Sequence, residues 1–154
     1  MAHDDLLTEF IDIYMSSLKN LEKLISQPTS EFGISFEQWL IMSAVAKNTS
    51  EKPLTMTEIA ATRGVTKGAV ARQLKPLFER EYLQQIHDTA DRRRVLLVLT
   101  QTGQEVESMI TLRVNQRFNG WLEIYGHDEG LDLLNTFQRL DDLIVKPELK
   151  KKKH

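Results

Sequence analysis

The chain has 154 residues, of which 41% are hydrophobic, 27% charged and 7% aromatic, and it contains no cysteine. This composition excludes a disordered or fibrous chain and fits one globular domain over residues 1–154. The lack of cysteine excludes disulfides, thiolate metal sites and thiol-based redox sensing. Asp4 and Asp5 lie where a secretory signal carries lysines, and no run reaches the ~20 apolar residues that span a bilayer. We therefore expect a cytoplasmic protein without membrane contact.

The net charge of −2 conceals an uneven distribution along the chain. Residues 63–94 contain eight basic and four acidic side chains, a net charge of +4, so the remainder carries −6. A basic segment within an acidic protein is typical of a surface that binds a polyanion.

The first amphipathic helix is predicted over residues 4–27. Apolar side chains between Leu6 and Ile25 recur every three or four residues, the spacing that places them on one face of a helix. Pro28 is expected to end this helix, because proline lacks the amide N–H that would continue it.

Two capping boxes begin helices in the central part of the chain, residues 34–100. Ser35 with Gln38 and Thr55 with Glu58 have the spacing at which two side chains each accept a backbone N–H at a helix start. The sequence therefore predicts one helix after Ser35 and a short second helix after Thr55.

A glycine turn joins the short helix to a third one. Gly64 supplies a left-handed residue, Val65 is expected to turn inward, and Thr66 caps a helix that runs to about Glu81. Two helices joined by a short turn that contains glycine are typical of a helix-turn-helix.

Two strands follow the helix-turn-helix. Residues 83–86 and 95–99 have strand composition, and the charged residues 87–94 between them form a hairpin tip, or wing. With the helices on either side, the predicted fold is mainly α with a small β-hairpin wing.

Two further helices are predicted over residues 101–146. Thr100 caps the first, Gly126 ends it, and Asp128 lies at the favourable N-terminus of the second. The lysine-rich residues 147–154 are expected to form a basic, solvated tail.

No residue pattern in the chain supports catalysis. Asp141 and Asp142 are adjacent, and neighbouring side chains of a helix point about 100° apart, so they cannot share a substrate. The run from His127 to Glu129 has metal-ligand residue types, but consecutive residues do not converge on one ion. We predict no enzyme, no metal site and no cofactor.

The outward side of the helix after Thr66 has side chains suited to double-stranded DNA. Arg72 can donate two hydrogen bonds to guanine, whereas Gln73 could pair with adenine but lies nearer the core side. The wing arginines can enter the minor groove, and one of them should instead pair with Asp91 to stiffen the hairpin. The predicted DNA-binding residues are Thr66, Lys67, Gly68, Arg72, Gln73, Lys75, Arg92, Arg93 and Arg94.

Three stretches occur in a fixed order within residues 54–103. They are Leu54-Thr55-Met56-Thr57-Glu58-Ile59-Ala60, then Gly64-Val65-Thr66-Lys67, then the run that begins Asp91-Arg92-Arg93-Arg94 and ends at Gly103. In this combination the chain resembles the multiple-antibiotic-resistance regulator (MarR) family of winged-helix transcription regulators. The flanking helices agree with that family in order and length.

The resemblance implies a triangular homodimer in which the terminal helices, here residues 4–27 and 101–146, interleave between subunits. It implies a regulator of a pseudo-palindromic operator, and we expect a repressor. It also implies that Asp91 pairs with Arg93 while an adjacent wing arginine contacts the minor groove.

One part of the sequence departs from the family pattern. Gly68, Ala69 and Ala71 stand where small hydroxyl residues usually follow the start of the DNA-reading helix. Fewer polar contacts remain there, so operator preference should depend more on Lys67, Arg72 and DNA shape.

Many relatives release DNA when an anionic phenolic compound binds between the dimer helices and the winged part. Tyr14, Trp39 and Met42 are the candidate residues for such an effector pocket, although aromatic residues at helical spacing more often belong to the core. Two alternatives stay open: a regulator without a small-molecule effector, and a winged-helix module that holds a protein partner. The second alternative predicts binding that salt does not weaken.

Overall fold

The computed structural model describes residues 3–48 and 53–151, and the chain divides into two compact units, residues 1–114 and 115–154. The described part is helical apart from one β-hairpin, which confirms the predicted fold class. In chain order the elements are α1 (His3–Ile13), a π-helical segment (Tyr14–Leu18), α2 (Lys19–Ser30), α3 (Phe36–Lys47), α4 (Met56–Arg63), α5 (Lys67–Glu79), β1 (Leu83–His87), β2 (Val95–Leu99), α6 (Gln101–Tyr125), α7 (His127–Leu140), a second π-helical segment (Asp141–Val145) and α8 (Lys146–Lys151).

The prediction that Pro28 ends the first helical segment is wrong. Helix α2 continues to Ser30 and contains Pro28 in its last turn, where the proline is buried. The hydroxyl of Thr29, fully buried beside it, donates to the carbonyl of Ser26 at 2.7 Å. A proline near a helix end removes a single backbone hydrogen bond, and burial of the turn stabilises the helix despite that loss.

Both predicted capping boxes are present. Gln38 N–H donates to Ser35 Oγ at 3.1 Å while Ser35 N–H donates to Gln38 Oε1 at 2.9 Å. Thr55 and Glu58 make the equivalent pair of bonds at 3.2 and 3.1 Å. These reciprocal bonds satisfy N–H groups that a helix start leaves without partners, so α3 and α4 begin where the sequence predicts.

The turn between α4 and α5 has the predicted backbone but a different side-chain placement. Gly64 has φ 66° and ψ 31°, in the left-handed region, and Thr66 Oγ1 accepts the N–H of Ala69 at 3.1 Å. Val65 is 43% exposed, so its predicted inward position is wrong. Its N–H donates to Ala60 and completes the helix end, while its side chain borders a surface cavity instead of entering the core.

Strands β1 and β2 pair in antiparallel register from Leu83 opposite Leu99 to His87 opposite Val95. Leu54, just before α4, adds an isolated bridge to this hairpin, and its carbonyl accepts the N–H of Leu97 at 2.9 Å. The wing is therefore attached to the segment that leads into the helix-turn-helix.

The hydrophobic core of the first unit lies between α3, α4, α5, the hairpin and the start of α6. Its fully buried side chains include Ile41, Met42, Ile59, Leu77 and Ile110. The apolar faces of α3, α4 and α5 thus pack together in one layer. This packing leaves the opposite face of α5 exposed. The complete buried cluster is Ile34, Trp39, Ile41, Met42, Val45, Ile59, Ala60, Val70, Leu74, Leu77, Leu83, Leu97, Leu99, Val106 and Ile110.

The described part of the second unit, residues 115–154, is helical except at Gly126. Gly126, with φ 108°, separates α6 from α7 as predicted. The expected basic tail over residues 147–154 is helical through Lys151, and its last three residues lie outside the described chain. Pro147 lies within a continuous helical run, because α8 follows the second π-helical segment without a break and Lys146 N–H still donates to the carbonyl of Asp141.

Lys146 connects two acidic side chains in this unit. Its Nζ lies 3.2 Å from Asp141 Oδ2 and 2.9 Å from Asp142 Oδ1. The hydrogen bonds from Lys146 and then Gln138 lower the pKa of Asp142, and those to Asp142 and then Asp141 raise the pKa of Lys146. Both carboxylates therefore reach one ammonium group, which the expected 100° divergence of adjacent helical side chains did not predict, and they pair with Lys146 on the exposed helix surface.

Candidate nucleic-acid interface

Helix α5 presents a basic surface on the side away from the core. Val70, Leu74 and Leu77 are buried, while Arg72 and Lys75 are exposed on the opposite side. Residues two positions apart on a helix point in nearly opposite directions, so burial of Val70 fixes the outward direction of Arg72.

The start of α5 is also exposed. Thr66, Lys67 and Gly68 all have high solvent accessibility, and the Thr66 side chain caps the helix by accepting the Ala69 N–H. Nothing but Thr66 Oγ1, at 4.0 Å, approaches the position that a Cβ of Gly68 would take. The N-terminus of α5 therefore offers backbone N–H groups and a lysine to an approaching phosphate.

Gln73 occupies a different place from the other predicted residues of α5. It is half-buried, and its Oε1 accepts a hydrogen bond from Gln38 Nε2 at 3.2 Å. Since Gln38 also closes the capping box of α3, Gln73 connects α5 to the start of α3. The side-chain carbonyl of Gln73 therefore positions α5 against α3.

The wing tip is folded by the carboxylates of two aspartates. Asp88 Oδ1 accepts the N–H of Ala90 at 3.0 Å, and Asp91 Oδ1 accepts the N–H of Arg93 at 3.1 Å. The expected ion pair between the side chains of Asp91 and Arg93 does not form in the described chain. Asp91 is engaged by the backbone of Arg93 instead, which leaves the Arg93 guanidinium exposed.

The wing ion pairs involve Arg94. Its Nη2 donates to Glu58 Oε1 at 2.9 Å, and its Nη1 lies 3.9 Å from Asp88 Oδ2. Arg92 and Arg93 are exposed and have no acidic partner among residues 3–48 and 53–151. The three consecutive arginines therefore differ: two are free to meet a polyanion and one is held by the protein.

Arg63, at the end of α4, is likewise held. Its Nε and Nη2 donate to the two carboxylate oxygens of Glu37 at 2.9 and 2.7 Å. This fork-like pair joins α4 to α3 and uses the charge of Arg63 inside the fold.

The three candidate effector residues do not come together. Trp39 and Met42 belong to the core of the first unit, while Tyr14 is 49% exposed and is not among the side chains packed on that core. The indole N–H of Trp39 is buried and has no acceptor within the described part of the chain. A separate cavity of about 180 Å³ lies between α3, α4 and α5, bordered by Ile41, Arg63 and neighbouring residues.

Sequence reasoning missed the contacts that join elements far apart in the chain. The pairs of Arg94 with Glu58 and of Gln73 with Gln38 span 36 and 35 residues. The capping boxes identified Glu58 and Gln38, but a local motif gives no sign of a second partner. The one sequence signal of the pair between Arg94 and Glu58 is the third consecutive arginine, which lies at the base of the wing.

Within the described residues no three His, Asp or Glu side chains are grouped to hold a metal ion, and no helix there is long and apolar enough to cross a membrane. The features that concentrate chemistry are the basic surface of α5 and the wing.

Comparisons with known proteins identify this architecture. The model of the MarR family matches residues 32–94, from the turn after α2 to the end of the wing tip. The transcriptional regulator SarA of Staphylococcus aureus is 30% identical over 104 residues, which cover 67% of this chain and 82% of that protein. The chain belongs to the MarR family. This family consists of DNA-binding transcription regulators, not enzymes.

Several proteins are similar over nearly the whole chain. An uncharacterized HTH-type transcriptional regulator of S. aureus is 25% identical over 148 residues, 95% of this chain and 97% of that one. A mutant of Escherichia coli MarR complexed with operator DNA has a TM-score of 0.73 and 18% identity, covering 91% and 99% of the two chains. S. aureus MarR in complex with salicylate and kanamycin has a TM-score of 0.72 and 24% identity, covering 92% and 93%. The flanking helices as well as the winged part therefore follow the fold of this family.

Proposed function

We propose that this MarR-family regulator acts in the cytoplasm as a homodimeric repressor on a pseudo-palindromic operator. Helix α5 would enter the major groove and the wing the minor groove of double-stranded DNA. The observation that carries this proposal is that α5 and the wing present exposed cations without an acidic partner in the described chain. On these two elements the cations are Lys67, Arg72, Lys75, Arg92 and Arg93.

Exposed cations at these positions favour a polyanion as the partner. Glu37 and Glu58 neutralise Arg63 and Arg94, yet no acidic side chain of residues 3–48 and 53–151 pairs with the five others. Two protomers would present enough positive charge to neutralise roughly six to ten phosphates. The similarity to a MarR protein solved with operator DNA supports the same direction of approach.

The uncovered apolar side chains of the terminal helices support the homodimer. Phe10, Leu134 and Phe137 are each 45 to 63% exposed, and many other apolar side chains of α1, α7 and α8 share this exposure. Monomeric proteins rarely expose so much apolar surface, and a second copy of the same chain would cover it.

The salt dependence of DNA binding tests the proposed interface. Duplexes selected from a random library should lose about 10³–10⁵ in affinity between 50 and 200 mM salt. Lys75→Ala should reduce the slope of log affinity against log salt by about one per protomer. Lys47→Ala, which removes an exposed lysine at the end of α3, is the matched control and should leave the slope unchanged.

A flat salt profile would contradict the proposal and favour a protein-binding module. The sign of regulation is tested by placing the selected operator across a promoter, where a repressor lowers transcription. Increased transcription would identify an activator with the same interface.

We also propose that a small aromatic acid releases the DNA. The cavity between α3, α4 and α5 is of a size for one substituted ring, and Arg63 at its border could receive a carboxylate in place of Glu37. The S. aureus MarR structure contains salicylate, which makes that compound the first to test. Salicylate should release the operator, and Val65→Phe at the cavity border should prevent release. Retention of DNA by the unmodified protein would support a regulator without an effector.

A further inference from the structure

The base of the wing is linked to α4 through the side chain of Arg94. Arg94 is the last residue of the tip, and its guanidinium reaches back to Glu58 at 2.9 Å. Its backbone also closes the tip, because its N–H donates to Asp91 and its carbonyl accepts the N–H of Asp88, both at 3.0 Å. Arg94 therefore joins the folded tip to the start of the helix-turn-helix.

Glu58 makes two bonds with one carboxylate. Its Oε2 accepts the N–H of Thr55 and closes the capping box of α4, while Oε1 accepts the bond from Arg94. The capping bond fixes the carboxylate before Arg94 reaches it, so less side-chain freedom is lost when the pair forms. Such a fixed carboxylate suits a positioning contact.

This link is the second attachment of the wing to the chain before α5. The first is the backbone bond from Leu97 to Leu54. Leu97 lies three residues from Arg94, which in a strand corresponds to about 10 Å. Two attachments that far apart restrict rotation of the hairpin about either one.

We propose that Arg94 is a wing-positioning residue that acts through Glu58 and does not itself contact DNA. Arg92 and Arg93 then supply the direct electrostatic contacts of the wing. This inference rests on the proposed DNA-binding function. It replaces the prediction from the sequence that all three arginines bind DNA.

A double-mutant cycle separates positioning from direct contact. Arg94→Ala and Glu58→Gln should each weaken operator binding, by roughly threefold to tenfold, and the double variant should be no weaker than either single one. Glu58→Gln retains an oxygen for the Thr55 bond and replaces the oxygen that faces Arg94 with an uncharged NH2 group, which cannot accept a hydrogen bond. A direct contact of Arg94 with phosphate predicts the opposite sign for Glu58→Gln, because loss of a nearby negative charge would strengthen binding.

The salt slope provides an independent measurement in the same variants. Arg93→Ala should reduce the slope by about one per protomer, whereas Arg94→Ala should leave it unchanged. An equal reduction in Arg94→Ala, or additive losses in the cycle, would overturn the inference while leaving the DNA-binding proposal intact.

Hydrogen exchange in the free protein tests the same link without DNA. The amide of Asp88, which closes the tip, should exchange faster in both Arg94→Ala and Glu58→Gln, and Arg93→Ala should not change it. Unchanged protection in the first two variants contradicts the inference whether or not the protein binds DNA.

Discussion

The basic residues of the segment 63–94 divide according to what lies within reach of each charge. Arg63 and Arg94 meet carboxylates that are 26 and 36 residues away in the chain. Arg72 and Arg93 are exposed and meet none in the described part of the protein. Counting charges along a sequence therefore identifies the segment, but only the folded chain shows which cations are available to a partner.

Arg72→Ala and Arg93→Ala should change DNA binding in different ways. Arg72→Ala should cost about 1–3 kcal/mol for the best sequence and relax preference at one operator position, since it removes a base contact. Arg93→Ala should weaken binding to operator and random DNA alike, because phosphate and minor-groove contacts carry less sequence information. Selection from a randomised library with each variant is the measurement. Reshaped preference in Arg93→Ala together with unchanged preference in Arg72→Ala would contradict this division.

The observed helices begin where the sequence predicts if a local motif determines the boundary. They differ from the prediction where packing against the rest of the fold determines it. A hydroxyl residue three positions before Gln38 or Glu58 located the starts of α3 and α4, because capping depends on four consecutive residues. The prediction that Pro28 ends the helix is wrong because burial of its turn outweighs one missing backbone hydrogen bond. The two π-helical segments were not predicted, since no local residue pattern marks them in this chain.

Two glycines of the helix-turn-helix provide a matched test of local conformation. Gly64→Ala should lower the free energy of unfolding by about 1 kcal/mol, because its left-handed backbone disfavours a Cβ although the space around it is open. Gly68→Ala, in a right-handed helix, should raise it by about 0.5 kcal/mol. Urea unfolding of both variants gives the comparison. Equal shifts of the same sign would show that backbone conformation is not the cause.

The pair of Asp142 and Lys146 makes the end of the second unit sensitive to pH. Because the pKa of Asp142 is lowered, its stabilising contribution is present above the ordinary Asp value near 3.9 and is lost as the pH falls through the lowered pKa. The pKa of Lys146 is raised, so its contribution is present below about 10.4 and is lost as the pH rises through the raised value. Lys146→Ala should bring the pKa of Asp142 back toward its usual value in a carboxyl NMR titration, while Lys150→Ala should not.

For the whole molecule, the apolar surface of the terminal helices determines the expected assembly. Phe137→Glu should shift sedimentation from dimer toward monomer and weaken DNA binding together, because both recognition helices are needed for two half-sites. Asn135→Glu, an exposed polar position two residues away on α7, adds the same charge and should leave the dimer intact. A stable wild-type monomer at micromolar concentration would contradict the proposed assembly.

The two tryptophans of the chain lie one in each compact unit, which gives the protein a built-in pair of optical reporters. Trp39 is 8% exposed and its indole N–H has no acceptor among the described residues, so Trp39→Phe removes no hydrogen bond of that part of the chain and keeps an aromatic ring in the core. Trp121 is half-buried, with the Arg117 guanidinium 5.2 Å from its ring centre. Emission from the Trp39→Phe variant therefore reports on the second unit alone, and that from Trp121→Phe on the winged unit. Melting curves of the two variants would show whether both parts of the regulator unfold at one temperature or in sequence.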